Sequence, residues 1–156
     1  MTPTGAAKRP LPVRIEGVSL PGGVFCEHRH VHVGVQCRRE PVMLVPGAAD
    51  VAEFDFTVDI LPAAGGGWDF RGPYVHGKPG ERFLYLTWGD HPPGGGFTMF
   101  RRAKLHLSPL DTDLVERAAA PRHRLVARLA LTDARGGPRC ASIRPPDITW
   151  TAEPTP

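Results

Sequence analysis

Asparagine is absent from the 156 residues, and lysine occurs only at Lys8, Lys78 and Lys104. Serine is confined to Ser19, Ser108 and Ser142, none of them in a Gly-x-Ser-x-Gly elbow, so the common hydrolase motif is missing. The three cysteines, Cys26, Cys37 and Cys140, do not make an even disulfide framework. They read as reduced thiols packed as small apolar groups, with a Cys26–Cys37 bridge or a cysteine metal ligand as the sharper alternative. Neither Cys-x-x-Cys nor His-Glu-x-x-His occurs. The glycine runs at 65–67 and 94–96 lack the Lys-Ser/Thr or strand–helix context of a nucleotide loop, which argues against phosphoryl transfer and nicotinamide chemistry. No apolar stretch approaches the roughly 20 residues of a membrane helix. The opening MTPTGAAKRPLP has no apolar core of a signal peptide, so a cytoplasmic location with no membrane partner is expected. Net charge is only +3, and arginine is scattered rather than gathered into a stripe with interleaved aromatics, so no nucleic-acid partner is expected.

Glycine and proline are abundant, 18 of each, and they punctuate short apolar runs. That spacing predicts many short elements joined by turns. Residues 13–18, 30–35 and 53–60 alternate apolar and polar side chains as half-buried strands do. Phe83–Trp88 is apolar on both faces, as in a strand buried on both sides or beside a cavity. The stretch 97–107 reads as its hairpin partner, and 125–131 with 140–143 as a further hairpin around DARGGP. Ser108-Pro-Leu-Asp111 has the residues of a helix start, with Ser108 as N-cap, ahead of a helix ending before Pro121. About eight strands with one short helix near 109–119 predict a mainly-β domain, an antiparallel β-sandwich or partly open barrel. The domain is expected over 12–152, between tails at 1–11 and 153–156.

The stretches DFRGPYVHG at 69–77, PGERFLYLTWG at 79–89 and MFRRAKLHL at 99–107, with weaker echoes at 32–36 and 131–146, resemble a bacterial family of small proteins known only as a domain of unknown function. The resemblance covers about half of the chain. It implies a cytoplasmic bacterial protein and assigns no activity, cofactor or catalytic residue.

Six polar or titratable side chains, Asp69, Arg71, Tyr74, His76, Glu81 and Arg82, crowd into fourteen residues broken by Gly-Pro and Pro-Gly turns. Such a loop can bring an acid, a base and a cation together. His76 with Asp69 or Glu81 suits acid–base work, and an arginine suits an anionic group. The same residues equally suit ion pairs that tie the loop to its strands. Arg101 shares an apolar strand parity with Phe97, Met99, Ala103, Leu105 and Leu107, so it needs an acidic partner such as Glu81 or Asp69, or an anionic ligand. Arg102, Lys104 and His106 form a basic stripe on the other parity and read as a solvated face. His28, His30 and His32 share one strand face with Cys26, but no further ligand is identifiable, so neither a metal nor a cofactor is expected.

Three functions stay open. The favoured one is a non-catalytic module binding a small, anionic molecule or a protein through Asp69, Arg71, Tyr74, His76, Glu81, Arg82 and Arg101. The others are an interaction protein with no pocket, and an enzyme without a standard motif. Oligomeric state is not legible.

Overall fold

The computed structural model describes residues 8–19, 29–33, 43–46, 51–90, 98–130 and 140–156. Among these lie eleven strands and one helix: β1 (Arg9–Ser19), β2 (Arg29–Val33), β3 (Met43–Pro46), β4 (Val51–Pro62), β5 (Trp68–Arg71), β6 (Val75–His76), β7 (Phe83–Asp90), β8 (Thr98–His106), α1 (Thr112–Ala118), β9 (His123–Leu129), β10 (Cys140–Ile143) and β11 (Ile148–Pro154). No described helix is long and apolar enough to cross a membrane.

The described strands form two sheets and no closed barrel. The first runs β11-β9-β1-β4-β5; the second runs β10-β8-β7-β2-β3, with β6 also paired to β7. One core joins their inner faces. Alternate residues Leu11, Val13 and Ile15 of β1 and Phe54, Val58 and Ile60 of β4 meet Leu84 and Leu86 of β7 and Ala103 and Leu105 of β8, all at most 1% exposed. This is the period-two pattern read from the sequence, with hydrophobic burial worth about 1.5–3 kcal/mol for each large side chain. Val115 and Ala118 of α1 join the same core.

The architecture is mainly β, as expected, but three details differ. The ladders are antiparallel except that β1 pairs with β9, and β8 with β10, in parallel. Hence β9 and β10 are not hairpin partners. They go to different sheets, because each finds its hydrogen-bonding edge on a strand distant in sequence. Residues 9–11, assigned to a tail, open β1, and Leu11 is fully buried. At the other end β11 includes Glu153 and Pro154, and the Thr155 N–H reaches the Arg122 carbonyl at 2.8 Å.

The helix starts later than Ser108. Asp111 is its N-cap residue, and no side chain caps it. Residues 107–110 form a turn, with the Leu110 N–H on the Leu107 carbonyl at 3.0 Å. The Ser108 hydroxyl has a different task, described below.

Strands β5 and β6 lie inside the segment read as a turn. The chain leaves the edge of the first sheet at Arg71 and joins the second at Val75, opposite Leu84. The polar segment is therefore a corner between the sheets.

Candidate functional site

Asp69 sits on β5 opposite Leu61, next to Phe70, which enters the core. Its side chain is 7% exposed. A carboxylate so buried needs charged donors. It has two: Arg71 donates Nε to Oδ2 at 2.8 Å, and Arg82 donates Nε to Oδ1 at 2.9 Å. Burial by itself would push the carboxyl up. The hydrogen bonds from Arg82, then Arg71, then the Phe70 backbone outweigh it, and Asp69 titrates at about 2.

Arg82 is committed at nearly every polar group. Beyond Asp69, its Nη1 donates to the Gly77 carbonyl. Its backbone N–H donates to the Ser108 hydroxyl at 2.7 Å, and its carbonyl accepts from Leu107 at 2.9 Å and from Ser108 at 3.3 Å. The Asp69–Arg82 pair thus ties the edge of the first sheet to the start of β7 in the second, and Ser108 locks it to the segment after β8. Gly77 is the pivot. Its φ is +90°, and a Cβ there would lie 2.2 Å from the Glu81 carbonyl oxygen.

The other residues disperse. Tyr74 packs on Phe56, ring centroids 5.0 Å apart. Glu81 is exposed and faces Lys78 at 3.7 Å. His76 packs its ring against Tyr85 at 4.9 Å and Phe83 at 6.0 Å. Arg101 lies on β8 opposite Trp88, at a bulge that breaks the alternation between Met99 and Arg101. Leu107, which faces Arg82, is six positions further along; at about 3.4 Å per residue the Arg101 backbone is roughly 20 Å away. The Arg101 backbone is thus placed away from the Asp69–Arg82 pair, and its side chain lies outside the described residues. His30 and His32 lie on β2 and Cys140 begins β10, while His28, Cys26 and Cys37 fall outside the described residues.

Two cavities flank the corner. The first, about 380 Å³, lies between the β4–β5 hairpin and the start of α1, and Trp68, Asp69, Arg71, Ser108, Leu110 and Thr112 are on its wall. Arg71 is 46% exposed, and apart from Nε its guanidinium has no hydrogen-bond partner among the described residues. The second, about 300 Å³, is bounded by the 77–82 turn, Phe83, Lys104 and His106. Ser108 lines both, although the sequence marked it only as a cap.

Chemically, the corner can bind and position. It is poorly suited to proton transfer through Asp69, because a carboxylate held at about 2 by two guanidiniums is far from the neutral range a general base requires.

No curated protein matches the chain, and no solved structure does. Over residues 11–153, which include every strand from β2 to β10 and all of the corner, it matches and belongs to DUF5990, a family of unknown function.

Proposed function

We propose that this protein is a non-catalytic binding domain of the bacterial cytoplasm, and that its ligand is a small molecule carrying a carboxylate or phosphate, held in the cleft beside β5. The carrying observation is Arg71. Its Nε is anchored on Asp69 while the rest of its guanidinium, on the wall of a 380 Å³ cleft, has no hydrogen-bond partner among the described residues. A cation oriented by a buried partner binds an anion at low entropic cost, since its side chain is already ordered. The cleft mixes apolar wall from Trp68 and Leu110 with hydroxyls from Ser108 and Thr112, a composition usual for small-ligand sites. Three cysteines, an odd number, suit a reducing compartment.

The ion pair to Arg82 supports a second reading, an interaction protein whose polar corner only holds the sheets together. Thermal shift against a panel of small carboxylates and phosphate esters separates the two. A ligand at about one hundred times its Kd raises Tm by roughly 5–10 °C for a domain of this size. Arg71→Met abolishes that shift, and Arg14→Met, on β1 and not on the cleft wall, leaves it intact. A panel without any shift, or shifts equal in Arg71→Met, refutes the cleft.

A further inference from the structure

The two sheets present chemically different outer faces. On the first, cations and carboxylates are matched: Arg14 bridges Glu16, Glu53 and Asp55, Arg124 approaches Asp55, and Arg128 joins Glu16 to Glu153. On the second, β6, β7, β8 and β10 lie side by side, and the register puts His76, Phe83 and His106 in one row and Tyr85, Lys104 and Ser142 in the next. Leu84, Leu86, Ala103 and Leu105 point into the core, so these rows face outward.

On this face the Lys104 ammonium sits over the Phe83 ring at 4.7 Å, and the Arg102 guanidinium over Tyr85 at 4.9 Å. Phe83 and Tyr85 meet edge to face at 4.9 Å, and His76 packs on both. His106 adds its ring beside Phe83 and bonds the Ser142 hydroxyl at 2.8 Å. Arg144, just beyond β10, lies close enough to His106 to disfavour its charge. None of Arg102, Lys104 and Arg144 has a carboxylate partner among the described residues. The open area stops at Thr87, which shares the parity of Phe83 and Tyr85 but is 1% exposed. Four strands at about 4.8 Å spacing make it roughly 14 Å across.

We propose that this face binds single-stranded nucleic acid, with Arg102, Lys104 and Arg144 on phosphates and Tyr85, Phe83 and His76 as the stacking platform for two or three bases. Aromatic rings interleaved with cations that have no carboxylate partner among the described residues, on one sheet face, are the chemistry that strand recognition needs. The ring surface now covered by a flexible cation is the one a base takes over, and the displaced cation meets the neighbouring phosphate. The chain itself shows no dense basic stripe because the cations come from two segments about forty residues apart that β8–β10 pairing joins. The site is separate from the Arg71 cleft.

Fluorescence anisotropy with a labelled oligo-dT of about twelve nucleotides, titrated at several salt concentrations, tests this. Three phosphate contacts give a log–log salt slope of about −2, and Lys104→Ala or Arg144→Ala weakens binding and shallows the slope by about 0.7 each. Tyr85→Ala weakens binding roughly five- to one hundred-fold with the slope unchanged, and Tyr85→Phe retains it, which separates stacking from misfolding. Arg128→Ala and Arg71→Met leave binding intact. Four results overturn the proposal: no binding at low salt, dTMP or poly-glutamate bound as tightly as the oligonucleotide, duplex DNA preferred, or no effect of Tyr85→Ala.

Discussion

Replacing Asp69 by asparagine keeps the shape of the side chain and removes its charge. The carboxyl titrates at about 2 in the fold instead of 3.8. At 1.36 kcal/mol per unit, ionisation of this group contributes about 2 kcal/mol to stability at neutral pH. A further cost falls on Arg82, whose side chain is only 12% exposed and would lose its counter-charge. Breaking a buried pair from one side costs about 3–5 kcal/mol, and the bond Arg82 keeps to the Gly77 carbonyl favours the low end. The expected loss for Asp69→Asn is therefore about 2–4 kcal/mol near pH 7. The pH dependence follows from the sign of the shift. A carboxyl depressed in the fold stabilises fully above its unfolded pKa near 4, and that contribution is lost as pH falls through about 2. Urea unfolding of wild type and Asp69→Asn at about pH 7, 4 and 2.5 should show a gap that narrows in acid. Taking the gap cancels the titration of Glu16 and Glu153, which Arg14 and Arg128 respectively also hold low in both proteins. A gap under about 0.5 kcal/mol at pH 7, or one that stays constant with pH, refutes the role given to the Asp69–Arg82 pair.

Gly77→Ala is expected to cost at least about 2 kcal/mol by thermal unfolding, because it adds a backbone clash to a left-handed φ. Gly80→Ala, with φ +87° but open space around it, should cost only about 1 kcal/mol, so equal losses would contradict the clash. Ser108→Ala removes the acceptor of the Arg82 N–H, so hydrogen exchange at the Arg82 amide should accelerate while the Val115 and Ala119 amides of the helix do not change. The His106 ring should titrate below 6.5, owing first to burial and then to Arg144 and Lys104. NMR should find its midpoint raised in Arg144→Met, and wild-type stability should fall as pH drops below about 6.5, since the fold favours the neutral ring.

Part of the corner was legible. Asp69, Arg71 and Arg82 lie within fourteen residues of turn-rich chain, and an ion-paired loop was one of its two readings. What chain spacing could not supply was the partition of roles. Asp69 and Arg82 are partners because a strand edge of one sheet faces the start of a strand in the other. Arg71, two positions from Asp69 on β5, commits only its Nε among the described residues. The proposed acid–base pairing lost Asp69 to these guanidiniums, and a bulge at Phe100 breaks the alternation between Met99 and Arg101, while Arg101 keeps the parity of Ala103, Leu105 and Leu107. Ser108 fitted a helix cap by residue type, yet the fold uses its hydroxyl as an acceptor for a distant backbone N–H.

The sequence by itself determined the mainly-β character, the inward rows of β1, β4, β7 and β8, and the hairpin of β7 with β8. These follow from period-two alternation and from short connections, both local properties of the chain. Only the tertiary structure decided that β9 joins β1 and β10 joins β8 in parallel, since which edge a strand finds depends on elements tens of residues away. That choice brings Ser142 and Arg144 beside Lys104 and His106, and makes a scattered set of basic residues into one face. Likewise, residues 69–82 could be seen as polar and rich in turns, but their work as a corner between sheets depends on burial at Asp69, and burial belongs to the packed molecule.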